Sequence, residues 1–214
     1  METKVLFDIL GIPVTENVAW TWGIMAFLTA ASFLLTRNLK RIPTGFQHAV
    51  ELAVDGIEGF VVRIMGEKGR PFVPFIFTLA LFILFANLAS LLPGGVSPTA
   101  SLSTTAALAV LVFIVSHGAE IKQKGLLAYL KGYVSPYAVL LPLNIIGEIA
   151  KVMSHAFRLF GNLYGGGIIL SIVYMFIPYI IPGILNTWFG VFQGVIQTAV
   201  FVMLAIVYIQ VRLE

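Results

Sequence analysis

The sequence predicts a single-domain, all-α polytopic membrane protein over residues 1–214, and three observations support this prediction. First, 59% of the residues are hydrophobic and 11% are charged, whereas a soluble domain has roughly 45–50% apolar and about 25% charged residues. Second, the apolar residues form long runs of the length that a membrane-spanning helix requires. Third, the basic residues are concentrated in alternate connections between these runs.

Apolar runs of about 20 residues can cross, as helices, a hydrocarbon core that is about 30 Å thick. We therefore expect about five membrane-embedded helices. After an outer leader at 1–17, these are a first span at 18–36, a helical hairpin at 72–92 and 99–117, and a long pair at 137–176 and 183–212. A helix over 137–176 would measure about 60 Å at about 1.5 Å per residue. Because this length exceeds the hydrocarbon thickness, we predict that the last two helices are long, tilted and antiparallel.

Residues 44–66 predict a different kind of helix, which lies along the membrane surface. Apolar side chains recur at helical spacing, and polar side chains occupy another face. The apolar set is Phe46, Val50, Ala53, Ile57, Phe60 and Ile64, and the polar set is His48, Glu51, Asp55 and Glu58. Such a pattern between two spans is typical of an interfacial amphipathic helix.

The basic residues also predict the orientation of the chain. Ten of the thirteen Lys and Arg residues lie in alternate connections or after the last helix: Arg37, Lys40, Arg41, Arg63, Lys68, Arg70, Lys122, Lys124, Lys131 and Arg212. The connections at 93–98 and 177–186 contain no charged residue. By the positive-inside rule, we expect a multi-pass protein of the bacterial inner (plasma) membrane, with the N-terminus outside and the C-terminus in the cytoplasm.

One long apolar segment contains four ionisable residues on one predicted helical stripe. Spacings of three, four and three residues place them one above the other. With an amide at either end, the stripe comprises Asn144, Glu148, Lys151, His155, Arg158 and Asn162. Ionisable groups are costly inside a membrane, so each is a candidate functional residue. We expect the stripe to face protein or water rather than lipid.

Arg158 is the strongest functional candidate in this stripe. Glu148 and Lys151 can neutralise each other, and this interpretation is as well supported as a transport role. His155 fits a polar contact within the protein better than a proton relay. Arg158 stays charged even when it is buried, and it has no acidic residue within one helical turn. We therefore expect another subunit to provide its counter-charge.

Several kinds of site are not indicated by the sequence. It contains no cysteine, which excludes disulfides, thiol nucleophiles and thiolate metal ligands. The HExxH, GxSxG and P-loop patterns do not occur, so neither an intramembrane enzyme nor nucleotide binding is indicated. No basic tract with interleaved aromatic residues suggests nucleic-acid binding. We predict no catalytic residue, no metal site and no cofactor.

Three sequence blocks resemble subunit a of F-type ATP synthases. The first is SHAFRLFGN at 154–162, the second is PTASLSTT at 98–105, and the third is QTAVFVMLAIVY at 197–208. The order of the predicted helices and the outer N-terminus are similar as well. The resemblance therefore covers nearly the whole chain.

This resemblance implies a mechanism for the charged stripe. In the family, two long tilted helices pack against a rotating ring of c subunits, and each ring subunit carries one ion-binding carboxylate. Two aqueous half-channels lead to the ring from opposite sides of the membrane. Arg158 matches the family's essential arginine, which draws the passing carboxylate into its unloaded state and blocks ion leakage. Asn162 and Gln197 match positions that line this interface, and Asn87 matches a polar position near the channel.

The resemblance also implies the partners of the chain. It would be a non-catalytic subunit of the membrane sector, CF(0), because the nucleotide chemistry belongs to the soluble head. Its expected partners are the c-ring, the peripheral-stalk subunit b, the other ATP synthase subunits and the lipid bilayer. The translocated ion is H⁺ or Na⁺.

Four positions bear on the choice between these ions. Gly167 and Gly190 stand where many proton-translocating members have Glu and His, and Ser101 stands where an acidic residue is common. Lys151, by contrast, resembles the sodium-translocating members. We therefore favour Na⁺, while the ring carboxylate that decides the ion belongs to another chain.

A stand-alone cation secondary transporter is the alternative interpretation. The residues from Glu148 to Arg158 would then form its substrate site. Many transporters of this kind are built from internal repeats, and the sequence shows no long internal repeat. A purely structural scaffold would have no reason to contain an unpaired intramembrane arginine.

Overall fold

The computed structural model describes residues 5–9, 12–37, 45–92, 95–134, 137–177 and 180–213. Lys40 and Arg41 of the first basic connection lie outside the described residues, as do residues 1–4 of the predicted leader. Parts of the two uncharged connections, at 93–94 and 178–179, also lie outside them.

The predicted all-α polytopic fold class is confirmed. Five helical stretches of the described residues are long and apolar enough to cross a membrane. They are Glu16–Thr36, Glu67–Leu91, Leu102–Lys124, Leu141–Phe176 and Gly183–Leu213.

Two short strands precede the first helix, and the sequence patterns did not predict them. Strand β1 (Val5–Ile9) pairs antiparallel with β2 (Ile12–Thr15). Helix α1 (Glu16–Thr36) follows β2 directly, and Glu16 in its first turn suits the positive end of the helix dipole. Within α1, Ile24 is the buried residue, and it packs in a small cluster with Ala86 and Ala89.

Helix α2 (Phe46–Met65) is the predicted amphipathic helix, and it is bounded by two glycines. Gly45 and Gly66 have φ angles of 61° and 67°, which residues with a side chain rarely adopt. The buried residues of α2 are Val61 and Met65, whereas Phe60 of the predicted apolar face is 41% exposed. The end of α2 is therefore buried against the bundle, and part of its apolar face remains available to the membrane interface.

A helical hairpin forms the centre of the bundle. A 3₁₀ segment (Glu67–Phe72) leads into α3 (Val73–Leu88), which is extended by a 3₁₀ turn, Ala89–Leu91. After a second 3₁₀ turn, Pro98–Ala100, helix α4 (Leu102–Lys124) returns through the bundle. The short helix α5 (Leu126–Val134) follows after Gly125, which has a φ angle of 83°.

The last two long helical stretches differ in regularity. Helix α6 (Leu141–Phe176) is continuous over 36 residues, or about 54 Å at about 1.5 Å per residue, which exceeds a hydrocarbon core of about 30 Å. The returning stretch consists of α7 (Ile180–Thr187), a π-helical segment (Trp188–Gln193) and α8 (Gly194–Leu213). The π-helical segment changes the helical register just before α8, and such segments are frequent at functional sites.

The hydrophobic core lies where α3, α4 and α8 meet, and α2 and α6 contribute to its edges. Its most buried side chains are Val61, Ile76, Ile83, Val112, Leu159, Phe201, Ile206 and Ile209. Helix α6 adds little to this core, because only 6% of its most apolar window is buried. A large apolar face of α6 is therefore left for lipid or for another protein.

Candidate ion-translocation site

Arg158 lies at the midpoint of α6, on its exposed face. Its neighbours on this face are Phe157, Gly161 and Asn162, which are also exposed. A side chain at Gly161 would meet no other part of the chain within 4 Å, so the surface beside the guanidinium is open. Among the residues that the structure describes, no Asp or Glu forms an ion pair with Arg158.

His155 is not on the same face as Arg158, which corrects the expectation of a single stripe with one environment. Its side chain points into the bundle and is 2% exposed. The imidazole lies against Phe201, with ring centroids 3.7 Å apart, and near Tyr208 at 5.5 Å. Neither ring nitrogen has a hydrogen-bond partner among the described residues. The six residues of the predicted stripe span a broad arc of the helix surface. One edge of this arc is buried and the other edge is exposed.

Glu148 belongs to a second charged group, at the end of the bundle where α4 and α8 end and α6 begins. Arg212 in the last turn of α8 binds Glu148 of α6 at 2.5 Å and Glu120 of α4 at 2.9 Å. Lys151 binds Glu148 at 2.8 Å, and Lys124 lies 3.6 Å from Glu120. We call Glu120, Lys124, Glu148, Lys151 and Arg212 the Arg212 cluster. The predicted pair of Glu148 and Lys151 therefore exists, but it is one part of a larger group.

The short helix α5 closes one side of the Arg212 cluster. The hydroxyl of Tyr133 lies 3.0 Å from His117 Nε2 and 3.5 Å from Arg212 Nη2. The Asn144 side chain donates to the Tyr133 carbonyl at 2.9 Å. Burial raises the pKa of Tyr129 above its ordinary value, so its hydroxyl stays protonated beside the Tyr133 hydroxyl, 3.2 Å away. A cleft of about 400 Å³ opens here, lined by both carboxylates, Lys151 and Arg212.

Asn87 occupies the opposite end of the bundle and is fully buried. Its amide nitrogen donates to the Gly194 carbonyl at 3.0 Å and to Thr198 Oγ1 at 3.2 Å, and its oxygen accepts from Thr99 Oγ1 at 2.7 Å. The Ser97 and Thr99 hydroxyls are hydrogen-bonded to each other at 2.7 Å, and the Ser97 hydroxyl also lies 2.7 Å from the Ala86 carbonyl, to which it donates. We call Asn87, Ser97, Thr99 and Thr198 the Asn87 network. It links α3, the turn before α4 and the start of α8.

Asn162 and Gln197 form one hydrogen bond between the two long stretches. Asn162 Nδ2 of α6 donates to Gln197 Oε1 of α8 at 2.5 Å. Gln197 is 2% exposed, and its amide nitrogen has no hydrogen-bond partner among the described residues. Asn162 is exposed on the same face as Arg158. The amide pair therefore connects the buried interior to the Arg158 face one turn beyond the arginine.

The two glycines that depart from the family pattern have different surroundings. A side chain at Gly167 would meet nothing within 4 Å. A Cβ at Gly190 would overlap the side chain of Leu91, with Leu91 Cγ at 2.8 Å. The space that a relay histidine would need at position 190 is thus occupied by Leu91.

The structure brings together some of the sequence-predicted residues and separates others. Glu148 and Lys151 lie at one end, Asn87 lies at the other, and Arg158, Asn162 and Gln197 lie between them. The sequence analysis missed the contacts of Arg212, because it used this residue only to predict the orientation of the chain in the membrane. Its partners are 92 and 64 residues away in the chain, so no local spacing could indicate them.

No group of three or more His, Asp or Glu residues in the described ranges could hold a metal ion.

Comparison with known proteins gives close relatives over most of the chain. It is 43% identical over 203 residues to a protein of Geotalea daltonii named ATP synthase subunit a, a match that covers 93% of this chain and 88% of that protein. The protein of the same name from Geobacter sulfurreducens is also 43% identical, with the same coverage. The one from Trichlorobacter lovleyi is 43% identical over 201 residues, covering 92% and 86%.

Five helices that are long and apolar enough to cross a membrane, one of them with an exposed arginine at its midpoint, define the class as a multi-pass membrane protein. Residues 18–210 match the family described as ATP synthase A chain. The chain belongs to this family, and the resemblance that was inferred from three sequence blocks is confirmed.

Proposed function

We propose that this chain is the ion-translocating stator subunit a of an F-type ATP synthase. In this role it couples the flow of H⁺ or Na⁺ past a rotating c-ring to ATP synthesis, without catalysing the nucleotide chemistry itself. The position of Arg158 carries the proposal. It is a cationic side chain at the midpoint of α6, on a face that the described residues leave uncovered. A charge in this place is costly unless a partner with an acidic group covers it.

The proposed partner group is the ion-binding carboxylate of each c subunit. At an effective dielectric constant near 20, two opposite charges about 4 Å apart attract each other by about 4 kcal/mol. This energy corresponds to a change of nearly a thousandfold in ion affinity, which is enough to release the bound ion. It is also small enough that the carboxylate can leave when the ring turns. The positive charge of Arg158 also repels a cation that would pass directly between the half-channels.

The two ends of the bundle supply polar routes towards Arg158 in this proposal. On one side, the cleft of about 400 Å³ at the Arg212 cluster places Glu148 and Lys151 in contact with water, and His155 lies further along the same helix. On the other side, Asn87 and Gln197 are buried polar residues, and Gln197 binds Asn162 on the Arg158 face. Each set is assigned to one half-channel.

The proposed setting is the bacterial inner membrane, with the N-terminus outside and the C-terminus in the cytoplasm. The positions of the basic residues support this orientation, because Lys122 and Lys124 in the last turn of α4 and Arg212 in the last turn of α8 lie at the same end of the bundle. Peripheral-stalk subunit b and the other synthase subunits are the further proposed partners.

Cross-linking tests the proposed contact with the ring. Because the chain has no cysteine, a single Phe157→Cys substitution places one thiol on the Arg158 face. In an otherwise cysteine-free complex, we expect it to cross-link to a cysteine beside the ring carboxylate. Phe27→Cys is the matched control, since Phe27 is an exposed aromatic residue near the middle of α1, at 56% against 48% for Phe157. Equal cross-linking of both, or of neither, would contradict the proposed contact.

The ion is tested by ATP-driven uptake of ²²Na⁺ into vesicles that contain the reconstituted complex. We favour Na⁺, and uptake should then persist or rise when a protonophore removes the proton gradient. Loss of uptake with the protonophore would indicate that H⁺, and not Na⁺, is the translocated ion. Uptake by the isolated chain, without ATP and the other subunits, would support the stand-alone transporter instead.

A further inference from the structure

The first half of α6 buries few large apolar side chains and makes several polar contacts with the bundle. The buried residues of α6 are His155, Ala156 and Leu159, all near its middle. Five large apolar residues before them are exposed by 45% or more, namely Leu143, Ile145, Ile146, Ile149 and Met153, whereas Val152 is partly buried. Little apolar packing therefore sets how this half of the helix is rotated about its axis.

Arg212 makes the strongest of these polar contacts. Its two terminal nitrogens bind carboxylates on two different helices, Glu120 of α4 at 2.9 Å and Glu148 of α6 at 2.5 Å. All three side chains are at most 16% exposed, so water weakens these pairs less than it would at a surface. The planar fork of an arginine suits two acceptors at once, which an ammonium group cannot match in geometry. Further support comes from Asn144 of α6, which donates to the Tyr133 carbonyl of α5.

We propose that Arg212 is a positioning residue that fixes the rotation of α6 and thereby the direction in which Arg158 faces. Glu148 and Arg158 lie on the same unbroken helix, so a rotation at the first is transmitted to the second. A helix with its side chains is about 10–12 Å wide, so a turn of about 30° moves a side-chain tip by about 3 Å. Displacements of about 1 Å can reduce the rate of a positioned reaction about a hundredfold. The functional part of this inference rests on the proposed role of Arg158.

Spin labels test the rotation directly and do not depend on transport. One nitroxide is attached at Ile149→Cys, on the exposed face, and another, in a separate preparation, at Val152→Cys, on the partly buried side. With Arg212 present, the first label should be mobile and accessible to oxygen, and the second should be immobile. In the Arg212→Gln variant, the difference in mobility between the two labels should fall by about half or more. Arg70→Gln is the control, because it breaks ion pairs to Glu58 and Glu67 far from α6. An unchanged difference in Arg212→Gln would overturn the proposal.

The ratio of ions transported to ATP hydrolysed tests the functional part in the assembled complex. We expect Arg212→Gln to lower this ratio by about tenfold or more, and Arg212→Lys, which keeps the charge but not the fork, to restore part of it. A merely structural role would reduce the amount of complex and leave the ratio per complex unchanged, and this result would overturn the proposal. If the Arg212→Gln complex does not assemble, the Arg212→Lys complex alone must show a ratio of ions to ATP between that of the parent complex and that of an uncoupled complex. Arg158→Ala in the same preparations separates the two hypotheses, because full coupling there would refute the proposed function instead.

Discussion

His155 and Arg158 lie three residues apart in α6, yet the imidazole is 2% exposed and the arginine lies on the exposed face. The boundary between the interior of the bundle and its uncovered surface therefore runs between these two side chains. His155 contacts Phe201 and Tyr208 of α8, whereas Arg158 lies on a surface that the described residues leave open. The two residues can be tested separately for this reason.

Replacing Arg158 with alanine should abolish ATP-driven ion pumping and coupled ATP synthesis while the complex still assembles. The side chain contributes no ion pair within the described residues, so its loss should not destabilise the fold. Arg158→Lys should fail nearly as badly if the flat guanidinium is required. The measurement is ATP-driven ion uptake per assembled complex. Arg63→Ala, at an exposed position near the end of α2, should retain normal pumping, and full pumping in the Arg158→Ala variant would refute the ring contact.

His155→Phe should separate a structural role of the imidazole from a role in transport. Both ring nitrogens are buried without a partner among the described residues, and an unsatisfied buried polar group costs about 1–3 kcal/mol. Phenylalanine keeps a ring contact with Phe201, and the adjoining cavity of about 170 Å³ can accept the larger ring. We therefore expect assembly to be retained and thermal stability to rise.

The transport rate distinguishes the two interpretations of His155. If the imidazole serves the ion path, the rate per complex should fall in His155→Phe even though stability does not. Thermal inactivation and ion uptake should be measured on the same preparation. A variant that is as fast as the parent chain would show that His155 has only a packing role.

The sequence could predict the number and approximate places of the spans because bilayer thickness dictates the length of an apolar run. It could also show that Arg158 has no acidic residue within one helical turn, because this follows from local spacing. It could not show that the predicted stripe is divided between two environments, because that depends on where α8 packs. The contacts of Arg212 join residues that are 64 and 92 positions apart. Only the folded bundle brings such residues together.

Asn87→Leu should destabilise the bundle, because the side chain serves three hydrogen bonds that link three segments. Leucine has a similar volume but removes these three bonds. Thr99 then keeps only its contact with Ser97, and Thr198 keeps only the Gly194 carbonyl of its own helix, among the described residues. We expect a loss of about 1–3 kcal/mol, measured as a lower temperature of thermal inactivation of the purified complex. Thr78→Ala is the control, because the hydroxyl of Thr78 binds only the carbonyl of Pro74 in its own helix. If both variants have the same stability, the Asn87 network does not hold α3 to α8.

Gly190→Val should destabilise the contact between the π-helical segment and the end of the hairpin. A Cβ at this position would overlap Leu91, and overpacking of a buried site typically costs about 1–3 kcal/mol. Leu91 can shift at its far end, so Gly190→Ala should cost less than Gly190→Val. Thermal inactivation of the complex measures both effects. Gly118→Val is a suitable comparison, because a side chain at Gly118 in α4 would meet nothing within 4 Å.

A double variant tests whether the Leu91 side chain causes the loss of stability in Gly190→Val. If Leu91 fills the space beside the glycine, Leu91→Ala should be destabilising in the parent chain but should improve the Gly190→Val variant. The two changes would then be non-additive by about 1–2 kcal/mol, as expected for residues in direct contact. Additive effects would mean that Leu91 does not occupy this space. The same result would remove the steric reason why a histidine could not be placed at position 190.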